Sequence, residues 1–346
     1  MNVLKDQTFL LLSLVTCRLS LLTGVLARLT LFTDMGKPRN KVVDYLACQA
    51  ARLGEMFICM IPVAVSYAVS GWLGDMMFRF DRKHRHRAVE HVRRSFPDWP
   101  EARVLAVAQQ SLRHLVYLGL EMMLTTRKIT RATWRRHIRF GDNMPEALRL
   151  LLTNPRGLVM LTGHYGNWEI VGYTLATLGF PTVAVARRLN NPYLNEHILG
   201  IRERMGMQIV DKSGATEAVQ NVLARRSVVA FIADQDAGKK GAFVDFFGRK
   251  ASTFKTIALM AMEYDVPIVV GFGRRTGTPF VFELGVERII QPSEWADRDD
   301  PVLWITQEYT AALERVIRHD PEQYLWAHRR WKHRPKGEDQ PADGIA

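Results

Sequence analysis

This 346-residue chain lacks the usual signatures of covalent, phosphate-cradling and metal chemistry. It has only three cysteines, Cys17, Cys48 and Cys59, all in or beside the apolar N-terminal region, and no two form Cys-x-x-Cys. That scarcity argues against a disulfide framework or a cysteine-built metal site, and it fits a reduced compartment. No Gly-x-Ser-x-Gly turn is present to carry a nucleophilic serine. Gly-x-x-x-x-Gly-Lys-Ser/Thr, His-Glu-x-x-His and Gly-x-Gly-x-x-Gly are missing too. A reaction on this chain is therefore expected to be direct transfer helped by a base, with no covalent enzyme intermediate. Internal repeats and low-complexity tracts are absent. Acids are in the minority, 35 against 47 basic residues, for a net charge of +12.

The positive charge is clustered. Residues 79–94 carry Arg79, Arg82, Lys83, Arg85, Arg87, Arg93 and Arg94 against Asp81 and Glu90. Arg131, Arg135, Arg136 and Arg139 surround Trp134. A third cluster, from His328 to Lys336, has no acid. Such patches suit anionic lipid, an acidic carrier protein or nucleic acid, and any one of them could be a plain solvated face. Nucleic acid fits least, because the clusters flank apolar segments and no nucleic-acid-binding motif occurs.

Two N-terminal stretches are apolar. Residues 8–33 are Leu-rich but contain Arg18 and Arg28. An arginine at a bilayer centre costs roughly 3 kcal/mol, so the stretch reads either as a membrane anchor or as an interfacial helix. Residues 56–74 are uncharged but hold Pro62, Gly71 and Gly74, near the minimum length for a span. Residues 42–80 are therefore expected as helices lying in the interface or packed on the enzyme. The chain divides into an apolar extension (1–34), membrane-interface helices with the basic segment (35–100), an α/β domain (101–336) and a polar tail (337–346).

Apolar residues recur at helical spacing over 101–128. From about residue 157, short β runs (157–162, 182–187, 228–233, 267–273 and 280–287) alternate with helical runs (167–178, 192–205, 214–225, 253–264 and 300–318). The pattern predicts a largely parallel, mixed central sheet flanked by helices, with working residues at strand ends and the last strand a candidate to run antiparallel.

The most informative motif is Gly163-His164-Tyr165-Gly166-Asn167-Trp168-Glu169, just after the apolar run 157–161. On one continuous helix, residues five apart point about 140° away from each other. His164 and Glu169 can meet only if the chain turns, which Gly163 and Gly166 permit, while Asn167 suits the N-cap of a following helix. The expectation is an imidazole held by Glu169, as a general base requires. Arg187, at a strand end, could hold a phosphate or carboxylate, or make a surface ion pair. Asp234-Gln235-Asp236 closes another strand, where an acid could position an arginine, a sugar hydroxyl or a metal, or cap a turn. Phe246 and Phe247, before Arg249 and an expected helix start at Thr253, could line an acyl groove or pack in the core. Tyr324, Trp326, His328, Arg329, Arg330 and Trp331 combine aromatic and basic groups, as a headgroup contact would, or as a C-terminal element docked on the fold.

The Gly163–Glu169 block resembles the His-x4-Glu motif of the lysophospholipid and glycerolphosphate acyltransferase superfamily. Arg187-Arg188-Leu189-Asn190-Asn191-Pro192, the stretch from Ala233-Asp234-Gln235-Asp236 to Phe246-Phe247-Gly248, and Gln323 to Lys332 narrow the likeness to the late acyltransferases of bacterial lipid A biosynthesis. It covers roughly residues 42–336. The resemblance implies His164 as base with Glu169 as its partner. It adds Arg187 and Asp234 as substrate-binding residues, and the motifs themselves offer Asn167, Gln235, Arg249, Arg329 and Arg330 as further substrate-binding candidates. It implies no cofactor or metal, an acyl-carrier-protein or CoA thioester as donor, and a lipid A precursor or similar glycolipid as acceptor. The expected partners are the acidic carrier protein and anionic membrane lipid, with no nucleic acid, at the cytoplasmic face of the bacterial inner membrane. Another glycolipid or lysophospholipid acyltransferase using acyl-CoA and a non-catalytic basic membrane-surface binding protein remain as alternatives.

Overall fold

The structure, a computed structural model, describes residues 40–154, 157–180, 182–186, 189–204, 207–211, 220–223, 227–335 and 337. These fall into two compact units, 40–54 with 189–199, and the remainder. In the smaller unit the buried Asn191 does two jobs at the start of α7 (Pro192–Glu203). Its Oδ1 accepts the Leu194 N–H at 3.0 Å, and its Nδ2 donates to the Asp44 carbonyl at 2.9 Å. Tyr45 meets Tyr193 edge-on, with centroids 5.5 Å apart. The expected boundary at residue 100 falls inside the larger unit.

The larger unit is built on a seven-stranded sheet. Its strands are β1 (Ile138–Phe140), β2 (Leu158–Thr162), β3 (Thr182–Ala186), β4 (Met207–Asp211), β5 (Val228–Ile232), β8 (Ile268–Arg275) and β9 (Phe282–Ile290), in the order β1-β9-β8-β2-β5-β3-β4. Strands β6 (Ala242–Phe246) and β7 (Arg249–Thr253) pair separately. Every pairing in the large sheet is parallel except β8 with β9, so it is mixed and mostly parallel as the sequence predicts. The central strand β2 reads Leu-Val-Met-Leu-Thr, the continuous apolar run of a strand covered on both faces. Its period of two sorts the side chains. Leu158 and Met160 enter one layer with α6 (Trp168–Thr177), through Ile170, Val171 and Leu175. Val159 and Leu161 enter the other with α8 (Thr256–Glu263) and α9 (Pro301–His319), through Ile257, Ala261, Ile305 and Leu313. Pro301 at the first turn and the Asp300 side chain, which accepts the Leu303 N–H at 2.9 Å, start α9.

The N-terminal helices are α1 (Lys41–Met60), α2 (Val63–Phe80), α3 (Arg82–Ser95) and α4 (Glu101–Lys128). The apolar stretch 56–74 is not one helix: it breaks at Ile61-Pro62, because proline has no N–H to continue the ladder. Among the described residues no helix is long and apolar enough to cross a membrane; residues 8–33 lie outside them. The basic run forms α3, capped by Asp81, and it is not a uniformly solvated face. Ala88, Val89 and Val92 pack with Val104, Ala108 and Leu112 of α4, and Arg87 is buried.

One expectation is corrected and one pair of alternatives is decided. The stretch expected to end in a helix start at Thr253 is the β6–β7 hairpin, and α8 begins only at Thr256. Its two-residue turn, Phe247-Gly248, has φ of 52° and 68°, the sign a tight hairpin of this hand requires at both positions. A phenylalanine tolerates that backbone because its N–H donates to Glu314 at 2.6 Å and its ring is packed on Phe96, Phe246 and Trp326. Phe246 and Phe247 are thus core, not groove lining. Strands β1 and β4 have no counterpart in the apolar pattern, and α5 (Met144–Thr153) completes the connection from β1 to β2.

Candidate active site

Parallel pairing sets the site. Residues 158–162 of β2 register with 228–232 of β5, and the ladder extends as the Ala233 N–H donates to the Thr162 carbonyl at 2.9 Å. The same offset of 70 residues brings His164 and Asp234 together just beyond the strand ends. One carboxylate then clamps the histidine twice. Asp234 Oδ2 accepts the His164 backbone N–H at 2.8 Å, and Oδ1 accepts Nδ1–H at 2.7 Å. The position expected for Glu169 is therefore taken by Asp234. Glu169 sits half-buried in the first turn of α6. The pairing escapes a reading of the sequence because it is set by strand register and not by proximity along the chain.

The pair lies under cover. Asp234 is 2% exposed and His164 8%. Burial alone would raise the Asp234 carboxyl, but attraction to the His164 imidazole and the hydrogen bonds from it outweigh that and hold the group well below the usual carboxylate range. An ionised Asp234 keeps the His164 proton on Nδ1 and leaves the Nε2 lone pair free to act. The Gln235 amide lies 3.2 Å from that Nε2. Trp168 meets the imidazole edge-on at 4.8 Å, and His328 stacks over it at 5.1 Å with 18° between planes. Burial, reinforced by His164, pushes His328 down to about 4, so the stacked ring is neutral at pH 7.

The turn after His164 is stitched on both sides. Gly166 has φ +58°, and a Cβ there would lie 2.0 Å from the Gly273 carbonyl oxygen, so only glycine fits. Its N–H donates to the Gln323 carbonyl at 3.0 Å, the Asn167 N–H donates to Gly273 at 2.7 Å, and the Leu325 N–H donates to the His164 carbonyl at 2.9 Å. Asn167 is the N-cap expected from sequence: its Oδ1 accepts the Ile170 N–H at 3.0 Å. Its Nδ2 donates to the buried Glu121 at 2.9 Å, so this side chain supports the loop from both ends. Glu121 has no signal in the sequence, and neither has its partner Arg275, which donates to it at 2.7 and 2.6 Å.

The remaining candidates separate. Arg330 is 1% exposed, and it donates to the Ser252 carbonyl and the Thr253 hydroxyl, both at 2.6 Å, and to the Gln235 carbonyl at 3.3 Å. It is a buried strut between the hairpin and the Asp234 loop, not a headgroup contact. Tyr324, Trp326 and Trp331 are buried as well, so the C-terminal segment is the docked element of the two readings. Arg249 lies over the Trp331 ring at 3.6 Å and donates to the Ser95 hydroxyl at 2.9 Å. Arg329 is exposed. Arg187 lies outside the described residues.

The model of the family described as "Bacterial lipid A biosynthesis acyltransferase" matches residues 36–333. A lipid A biosynthesis lauroyltransferase of Escherichia coli is 23% identical over 81% of this chain and 89% of its own. A phosphatidylinositol mannoside acyltransferase of Mycolicibacterium smegmatis is 30% identical over 37% of this chain and 44% of its own. A solved 1-acyl-sn-glycerophosphate acyltransferase from Thermotoga maritima, 11% identical, aligns over 73% of this chain and 97% of that one with a TM-score of 0.33, too slight a likeness to carry an argument. Matched over most of its length, the chain belongs to the bacterial lipid A biosynthesis acyltransferase family and is an acyltransferase.

Proposed function

We propose that this acyltransferase moves a fatty acyl group from a carrier thioester to a hydroxyl of a lipid A precursor or related glycolipid, with His164 as base and Asp234 as its orienting acid. The observation that carries the reading is the Asp234–His164–Gln235 alignment, 2.7 Å on Nδ1 and 3.2 Å on Nε2. An acceptor hydroxyl takes the place of the Gln235 amide on Nε2. As its oxygen attacks the thioester carbonyl, the proton passes to Nε2, a contribution of about 10²–10⁴ in rate. Asp234 stabilises the imidazolium, and the face of neutral His328 lies against it. The displaced Gln235 amide is at hand to donate to the oxyanion. Collapse expels the carrier thiolate, which recovers the proton from His164.

The donor is a thioester on an acidic carrier, which the +12 charge favours by steering. The setting is the cytoplasmic face of the inner membrane. Supporting that, α2 leaves Val65, Val69, Trp72 and Phe80 exposed at helical spacing, beside the basic α3. His164→Ala, purified and shown folded by circular dichroism at the assay temperature, should give no acylated glycolipid by mass spectrometry; wild-type turnover in that variant would end this reading.

A further inference from the structure

Away from His164, a cleft of about 670 Å³ opens between α2, α4, the β8–β9 loop and the turn Pro321–Gln323. That volume is within the range of about 300–1,000 Å³ typical of small-ligand sites. Its back wall is tied to the active-site loop: the Tyr165 hydroxyl donates to Asp320 at 3.1 Å, and the Gln323 carbonyl accepts the Gly166 N–H. Nothing in the proposed chemistry uses it.

Charge decides what it can hold. The guanidiniums of Arg274 and Arg275 line the cleft, but neither is available to an anion. Arg274 is paired with Glu283 at 2.9 Å and Asp320 at 3.3 Å, and Arg275 is gripped twice by Glu121. Glu283, Asp320 and Glu322 line the cleft, and Glu121 stands behind Arg275, so four carboxylates face two guanidiniums. His114, also on the wall, is pushed down to about 3 by burial and then by Arg275, and adds no positive charge at pH 7. A phosphate would meet net negative potential here. An acyl chain would take water away from these ion pairs and from Glu322 and give no hydrogen bond in return, which disfavours it here. A hydroxyl-rich ring suits both features. Its hydroxyls donate to the carboxylates and accept from the Tyr117 and Thr278 hydroxyls on the wall. Its C–H face finds the Tyr67–Tyr117 pair, whose centroids are 5.2 Å apart.

We propose that this cleft is a subsite for an uncharged, hydroxylated sugar ring, and that it excludes phosphorylated positions of the same molecule. The assignment of that ring to the acyl acceptor rests on the function proposed above; the chemistry of the cleft does not.

The test uses the full-length protein and three probes: methyl glucoside, glucose 1-phosphate and inorganic phosphate. Saturation-transfer NMR should show ring-proton signals for methyl glucoside, and signals at least about tenfold weaker for glucose 1-phosphate. Thr278→Trp on the exposed loop, which fills the cleft, should abolish the glucoside signal at unchanged melting temperature, and Glu322→Arg should do the same from the opposite wall. In transfer assays both variants should raise KM for the glycolipid about tenfold more than KM for the thioester. No glucoside signal, a glucoside signal that survives both variants, or tighter binding of either phosphate probe at the cleft overturns the proposal. Glucoside binding lost in both variants, with no acyl transfer to any acceptor by the wild type, supports the cleft and sinks the function proposed above instead.

Discussion

At the scale of single residues, the proposed base is only as good as the acid that fixes its tautomer. Aspartate and asparagine are nearly the same shape, yet an amide in place of the Asp234 carboxylate can donate to Nδ1 and so move the imidazole proton to the atom that must receive one. Asp234→Asn is expected to lower kcat by about 10³–10⁴ with little change in KM. Glu169→Gln should cost less than tenfold. Steady-state assays of both variants decide between the two carboxylates, and the reverse ranking would return the role to Glu169. The histidine itself was legible in the sequence because glycines flank it at the end of an apolar run. Its acid was not, since Gly163–Glu169 carries a carboxylate of its own, and the better-placed one arrives through a hydrogen-bond ladder from 70 residues away. Glu121 makes a second residue-scale case. It is fully buried and accepts from Arg275, Asn167 and the Tyr67 hydroxyl. Glu121→Ala strands a buried guanidinium, so chemical denaturation should show a loss of about 3–5 kcal/mol.

Among elements, the C-terminal segment and the β6–β7 hairpin act as a brace on the Asp234 loop. Arg330 joins them through three oxygens, those of Gln235, Ser252 and Thr253. Replacement by methionine roughly keeps the volume but takes away every one of these donors. Arg330→Met should therefore destabilise by about 2–4 kcal/mol in a denaturant titration, and an effect near zero would show the strut to be dispensable. The hairpin was hidden in the sequence because its outer positions, Asp245 and Lys250, are polar and its turn uses phenylalanine where asparagine or glycine is usual. By contrast, β2, β5 and α9 were readable to within about two residues, since each has an uninterrupted apolar period and clear end signals. Edge strand β4, Met-Gln-Ile-Val-Asp, mixes polar with apolar residues and lacks that contrast.

For the whole molecule, one buried histidine, His91, and two largely covered ones, His114 and His328, set a response to acid. Burial first, then nearby arginines for His91 and His114 and the neighbouring imidazole for His328, push their values down, to about 3, 3 and 4. Their ordinary value is 6.5. Between about pH 6.5 and 4 the unfolded chain therefore binds protons that the folded chain refuses. Each such group removes about 1.4 kcal/mol of stability per pH unit as the pH falls. Asp234, held low, keeps its contribution throughout this window and loses it only in stronger acid. Melting temperature should drop steeply from pH 6.5 to 4, and replacing His91 with glutamine should flatten the slope by about a third. A melting temperature independent of pH in that range would contradict the burial of these rings.

The β2–β5 ladder has one more implication. Because His164 and Asp234 are delivered by two adjacent strand tips, their contact forms only when the middle of the sheet closes, and under the proposed mechanism no earlier folding intermediate would be active. A single residue inserted into β5 would turn the carboxylate to the other face, whereas the margins of the sheet can be rebuilt without disturbing it. The His164–Asp234 contact thus depends on the register of two central strands and not on the sheet's margins.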